Sequence, residues 1–247
     1  MERTGFLIKK SVLFCFLERY IDFLYIETMK DFETEKIKAV IFDMDGVLLD
    51  SESVCDKCFE QAAIEQNIED RKPIIEDARG MGKPSFMEFI SKTYGDKIDT
   101  ELLWNRASEL FYQIEDTKGI SLLPYAEQTL KYLKQNYKIA LASSTRRSSV
   151  ERQMKANNIW DLFDVTVCGD DVENTKPSPD IYLKAVGKLN LLPENCLAVE
   201  DSLNGIKSAT SAGLKVIMIP DQVKPDENMK NLCWKIFDSL NDLTVLL

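Results

Sequence analysis

Residues Lys38–Val47 read KAVIFDMDGV, a β-branched apolar run that stops abruptly at two carboxylates and a glycine. Such a run predicts a buried strand that delivers Asp43 and Asp45 to the mouth of a site. Two like charges one residue apart at a strand tip are unfavourable unless a cation neutralises them, so a bound metal is the first expectation. Strand alternation lets Asp43 and Asp45 aim at one point while Met44 points away, and Gly46 permits a sharp exit. The alternative is a strand-to-turn boundary with ordinary solvated acids.

The segments beyond this strand fix the fold class. Apolar strand patterns at Ile37–Phe42, Tyr137–Ala142, Val165–Val167, Cys196–Val199 and Leu214–Ile219 alternate with helical ones at Ala126–Asn136, Ser148–Asn157, Pro179–Leu189 and Leu203–Ala212. This alternation predicts an α/β fold, a doubly wound parallel sheet whose strand C-terminal ends share one ligand-binding edge. Between about Asp50 and Gly119 the pattern is only helical, at Val54–Gln66, Pro84–Tyr94 and Glu101–Tyr112. That interval predicts a small helical domain over the sheet edge, with linkers near Asp50–Ser53 and Lys118–Pro124. The expected division is 36–50 with 119–247 as the core and 51–118 as the insertion. The tail, Leu232–Leu247, is expected to close the core as a helix or strand.

Residues 1–35 are set apart as an N-terminal extension that need not be native, with Met29 as an alternative start. Its longest uncharged run, Ser11–Leu17, is far too short to span a bilayer. The six cysteines lack a disulfide-framework spacing, which predicts free thiols in a reducing cytoplasm. Cys55 and Cys58 form a C-x-x-C, but with no second close pair and no histidine they cannot complete a zinc site. The missing histidine also excludes Ser-His-Asp and Cys-His catalysis. A net charge of −10 argues against a nucleic-acid or anionic-membrane surface.

Each later strand ends in polar residues. Ser143, Ser144, Thr145, Arg146 and Arg147 follow the second strand and open a helix, which suits a phosphate cradle or, alternatively, an ordinary helix cap. Pro177 and Pro179 fix the backbone beside Lys176, where a rigid ammonium could meet developing negative charge; alternatively the segment is a turn and a proline-initiated helix. Glu200 and Asp201 end the fourth strand and would complete an oxygen-ligand site with Asp43 and the Asp45 carbonyl; alternatively Asp201 or Ser202 caps the next helix.

Asp43-Met44-Asp45-Gly46-Val47, Ser143, Lys176 before Pro177, and Glu200-Asp201 together resemble the four motifs of the haloacid dehalogenase (HAD) superfamily. The helical insertion resembles the four-helix cap of its β-phosphoglucomutase-like subfamily. The resemblance implies phosphoryl transfer through an aspartyl-phosphate, with Asp43 as nucleophile and Asp45 as general acid and base. It implies Mg²⁺ held by Asp43, the Asp45 backbone carbonyl and Asp201, supported by Glu200, with Ser143 and Lys176 on the phosphoryl oxygens. Arg79-Gly80-Met81-Gly82-Lys83 resembles the loop with which sugar-phosphate members read their substrate. The expected activity is a Mg²⁺-dependent phosphatase of small phosphorylated metabolites, sugar phosphates foremost, acting as a monomer.

A phosphomutase of the β-phosphoglucomutase type is the alternative, with Arg79, Lys83, Arg146 and Arg147 available for a second phosphate. Mutases carry a gating histidine at the cap hinge; the matching position here is Cys55, which favours water as the acceptor. A non-catalytic HAD-like binding protein is the remote alternative, since every expected catalytic residue type is present.

Overall fold

The computed structural model describes residues 34–79 and 81–247. The expectations for residues 1–33 and for Gly80 therefore lie outside the described residues. Six strands, β1 (Ala39–Phe42), β2 (Lys138–Ala142), β3 (Val165–Val167), β4 (Cys196–Glu200), β5 (Lys215–Met218) and β6 (Lys235–Ile236), form one sheet in the order β3-β2-β1-β4-β5-β6. Every pairing is parallel. Parallel strands need crossovers, so helices lie on both faces and the strands are apolar on both sides.

The side chains of β1 divide by parity. Val40 and Phe42 join one hydrophobic cluster with Leu141, Val199 and Leu130, while Ala39 and Ile41 join the other with Ala140, Ala198 and Tyr182. Small residues line the second face, so α7 (Asp180–Leu189) can pack close to the sheet. The remaining core helices are α5 (Ala126–Leu133), α6 (Arg147–Ala156), α8 (Leu203–Ser211), α9 (Glu227–Leu232) and α10 (Leu243–Leu246). The tail supplies both a short strand, β6, and a short helix, α10, rather than one or the other.

Four helices occupy the interval between β1 and β2: α1 (Ser51–Glu65), α2 (Arg71–Ala78), α3 (Lys83–Tyr94) and α4 (Thr100–Thr117). They enclose a hydrophobic cluster of their own, in which Phe59, Phe86 and Trp104 meet ring to ring at 5.1–5.7 Å. The chain leaves for these helices and returns from them side by side. The Asp50 amide donates to the Ser121 carbonyl (2.9 Å), the Leu123 amide to the Leu48 carbonyl (2.8 Å), and Leu49 bridges Leu122 antiparallel.

No helix among the described residues is long and apolar enough to cross a membrane. The five described cysteines, Cys55, Cys58, Cys168, Cys196 and Cys233, are all free thiols.

Candidate active site

The strand order reverses direction between β1 and β4, the switch point where open α/β sheets bind ligands. Pairing runs one residue past β1, because the Asp43 amide donates to the Val199 carbonyl at 3.0 Å. That bond fixes where the Asp43 side chain begins. Gly46 then turns the chain at φ +72°, and the Leu48 and Leu49 amides fold back onto the Met44 carbonyl. On the neighbouring strand end, the Ser202 hydroxyl accepts the Gly205 amide (3.1 Å) and caps α8. Asp201 is not the cap, so its carboxylate stays available.

Lys176 joins the two strand ends. Its Nζ donates to Asp43 Oδ1 at 2.5 Å and to Glu200 Oε1 at 2.7 Å, with all three side chains almost wholly buried. The Tyr182 hydroxyl donates to the same Glu200 oxygen at 2.6 Å, and Lys176 Nζ lies 5.3 Å from the Tyr182 ring centroid. Glu200 therefore orients the ammonium that in turn touches Asp43. Tyr182 has no sequence signal as a site residue: it sits in the apolar stripe of α7, and only the fold turns its hydroxyl onto Glu200.

Burial raises the Asp43 carboxyl to about 7; Lys176 opposes the rise and the Glu200 and Asp45 charges add to it. Asp201 is also raised well above the usual carboxylate range, by burial first and then by Glu200 and Asp43. Burial alone would lower the Lys176 ammonium, but Asp43 and Glu200 outweigh it and raise its pKa. One ammonium is left facing several carboxylates, a charge balance that a cation would complete. Asp43, Glu200 and Asp201 can each offer an oxygen within 4.8 Å of the others. An all-oxygen donor set fits a hard divalent cation such as Mg²⁺ or Ca²⁺ rather than a soft metal. The Asp45 carboxylate is not part of that cluster.

Two glycines make the close packing of these acids feasible. A Cβ on Gly205 would lie 1.9 Å from Glu200 Oε2, and one on Gly46 would lie 2.2 Å from Asp201 Oδ2. Gly46 also has the positive φ that a side chain resists. Gly46→Ala is expected to displace the Asp201 carboxylate and weaken divalent-cation affinity about 10–100-fold. Isothermal titration with Mg²⁺ or Mn²⁺ measures it; unchanged affinity would remove Asp201 as a ligand.

Asp45 faces a different set of partners. The Thr145 hydroxyl donates to its Oδ2 at 2.9 Å. Burial raises the Asp45 carboxyl, while the Ser51 and Thr145 hydroxyls and Lys176 pull it back. Asp43 and Asp45 thus diverge, one toward Lys176 and the other toward Thr145, instead of converging on a single point. Asp45 lines a cleft of about 460 Å³ between the sheet edge and the helical insertion, with Ser144, Thr145 and Arg146 on the core side and Cys55 and Trp104 on the helical side.

The other sequence-predicted residues divide by location. Ser143 is fully buried, its Oγ accepting the Thr145 amide at 3.1 Å. Arg147 turns away from the cleft: it pairs with Asp171, donates to the Thr166 carbonyl (3.2 Å) and lines a hollow beside Trp160. The Arg147 amide is taken by Asp170 Oδ1 at 3.0 Å, so that helix N–H is already satisfied. Arg79 is clasped by Asp56 (Nη2–Oδ2 2.5 Å); it lines an outer hollow of about 520 Å³ and a small cavity of about 120 Å³ that borders the cleft through Glu52, Cys55, Phe59 and Trp104. Lys83 donates to Asn105 Oδ1 at 3.1 Å and is also outside the cleft wall. The aromatic and amide groups of the cleft, Phe59, Trp104, Phe111, Tyr112 and Gln153, carried no sequence signal beyond amphipathic periodicity.

A family profile described as haloacid dehalogenase-like hydrolase matches residues 40–219, a span that holds every carboxylate of the site. The chain belongs to the haloacid dehalogenase-like hydrolase family. Among HAD relatives, a phosphorylated carbohydrates phosphatase of Thermotoga maritima is 34% identical over 190 residues, covering 73% of this chain and 84% of the relative. The crystal structure of CbbY from Rhodobacter sphaeroides in complex with phosphate is 28% identical, with a TM-score of 0.65, covering 84% of this chain and 96% of that one. A Thermotoga maritima structure provisionally called a beta-phosphoglucomutase is 26% identical, with a TM-score of 0.70, covering 85% of this chain and 100% of that one. The HAD core and the helical interval are thus similar to solved relatives over nearly all described residues.

Proposed function

We propose that this HAD enzyme is a Mg²⁺-dependent phosphatase of small phosphorylated metabolites, sugar phosphates foremost, working through an aspartyl-phosphate. The observation that carries the proposal is the divergence of Asp43 and Asp45: one carboxylate lies against an ammonium and the acidic cluster, the other lines the cleft under a hydroxyl. A nucleophile and a proton carrier need those two environments.

In the proposed reaction an Asp43 oxygen attacks phosphorus, and the bond to the departing alcohol breaks. Asp45, whose raised carboxyl favours the protonated form, gives its proton to that alcohol. The resulting Asp45 carboxylate then takes a proton from water, which attacks phosphorus and frees Asp43 and phosphate. Lys176, held by Glu200 and thereby by Tyr182, offsets charge beside Asp43. Asp43, Asp201, Glu200 and the Asp45 backbone carbonyl would hold Mg²⁺, which when bound supplies charge neutralisation at the phosphoryl oxygens. Ser143, Ser144 and Thr145 would position those oxygens, and the interval 51–118 would act as a cap that excludes bulk water.

Transfer to water rather than to a second sugar oxygen is supported by the basic residues. Of the four that a second phosphate site would use, Arg146 lines the cleft, while Arg79, Lys83 and Arg147 are engaged elsewhere.

Phosphate release from a panel of phosphorylated metabolites, run beside an isomerisation assay on β-glucose 1-phosphate, tests the proposal. Release is expected with Mg²⁺ and none after EDTA; isomerised sugar without free phosphate would favour the mutase. Asp45→Asn is expected to slow alkyl phosphates about 10²–10⁴-fold and p-nitrophenyl phosphate much less, because a good leaving group needs no proton. Equal losses on both would remove Asp45 as the acid.

A further inference from the structure

Beyond the helical side of the cleft stands a guanidinium that an acid already holds. Arg79 Nε donates to Asp56 Oδ1 at 3.3 Å and to Oδ2 at 3.0 Å, and Nη2 donates to Oδ2 at 2.5 Å. Each side chain keeps 22% of its surface exposed, so the pair is accessible rather than sealed in. Both residues line the cavity of about 120 Å³ that meets the cleft at Glu52, Cys55, Phe59 and Trp104. Charge traces the same path: Cys55 feels both Asp45 and Asp56, and Glu52 feels Asp45 together with Asp56 and Arg79. A substrate with its ester oxygen at Asp45 would therefore send its far end past Glu52 and Cys55 toward Arg79. The Nε–Nη2 edge of a guanidinium is a two-pronged phosphate grip, and here a carboxylate fills it. Among the residues lining that cavity, two acids, Glu52 and Asp56, face one base, Arg79. A second phosphate arriving there would meet a spent cation and surplus negative charge, the kind of repulsion that sets specificity.

We propose that Asp56 is a specificity determinant: by holding Arg79 it closes the distal end of the cleft to a second phosphate and restricts the enzyme to esters whose far end is uncharged. This rests on the phosphatase reading and narrows its substrate class. Removing the Asp56 charge frees the guanidinium and turns the same end into a phosphate site.

Fructose 6-phosphate and fructose 1,6-bisphosphate differ only in the second phosphate. Each is measured, at fixed free Mg²⁺, as a competitive inhibitor of p-nitrophenyl phosphate hydrolysis, which reads binding whether or not the sugar ester is itself cleaved. In the wild type the bisphosphate is expected to bind no more tightly than the monophosphate. Asp56→Asn keeps the size of the side chain and loses its charge. Its preference for the bisphosphate should rise at least about tenfold over wild type, the worth of one charge-assisted hydrogen bond. Adding Arg79→Gln to that variant should abolish the gain, whereas a gain from altered cavity shape would persist. Thermal melts check folding, and Asp56→Ser replaces an asparagine variant that does not melt cooperatively. A wild type that prefers the bisphosphate, an Asp56 variant without the gain, or a gain that survives the loss of Arg79 overturns the inference. Inhibition by neither sugar ester also overturns it while leaving a phosphatase. No hydrolysis of p-nitrophenyl phosphate by the wild type overturns the phosphatase reading as well.

Discussion

Replacing Asp43 with asparagine is expected to lower turnover of any phosphate monoester by on the order of 10⁴-fold or more, as loss of a covalent nucleophile does elsewhere. The substitution preserves shape, so β1 and its bond to the Val199 carbonyl should persist. It also removes a carboxylate that burial holds at about 7, so the metal-free fold should not lose stability near neutral pH. The sign comes from linkage: a carboxyl raised in the fold destabilises it progressively as pH rises from about 4 to about 7. Single-turnover assays with labelled substrate, together with thermal melts with and without Mg²⁺, separate the effects. Activity above a few per cent of wild type would remove Asp43 as the nucleophile.

Lys176→Met should have the largest effect on stability. The ammonium is enclosed by Asp43 and Glu200, and the Glu200 carboxylate is fully buried. Removing it leaves two buried carboxylates facing each other, a loss of about 3–5 kcal/mol by comparison with other broken buried pairs. Tyr182 would still donate to Glu200 and limits the damage on that side. Because the orphaned acids are relieved by protonation, lowering the pH from 8 to 5 should recover part of the loss. Saturating Mg²⁺ should recover part of it by the opposite route, holding the acids charged. Denaturant titrations across that pH range, with and without Mg²⁺, test this. A variant that is as stable as wild type at pH 8 without metal would contradict this charge balance.

The strand ends were legible because residue type and spacing carry them. Apolar runs that stop at acids or hydroxyls identify both the sheet and its edge, and the lysine before Pro177 follows the third strand by a short loop. Helix α2 was not legible, since Arg71–Ala78 offers only adjacent Ile74 and Ile75, with Pro73 between them and the charged start. A period cannot be read from two neighbouring residues, and one of them alone, Ile74, is buried. Strand β6 is two residues long, below any pattern. Arg79 looked free for substrate because its partner, Asp56, lies 23 positions upstream on another helix. Separations of 18 and 33 residues likewise hid Tyr182 against Glu200 and Gln153 against Ile120. Residue chemistry was visible along the chain; which charges were already spent was decided by tertiary pairing.

The outgoing and returning linkers at Asp50–Ser121 and Leu48–Leu123 are stitched to each other, not just placed near each other. Two independent tethers would let the helical unit slide, tilt and twist over the sheet edge. A stitched pair leaves chiefly one freedom, a swing about its own line, much as a door has one path on its hinge pins. Trp104 and Tyr112 on the swinging side would then approach Asp45 and Arg146 along one arc. Substituting either linker so as to break these backbone bonds should therefore spread the closed geometry over many poses, without altering any residue that meets the substrate.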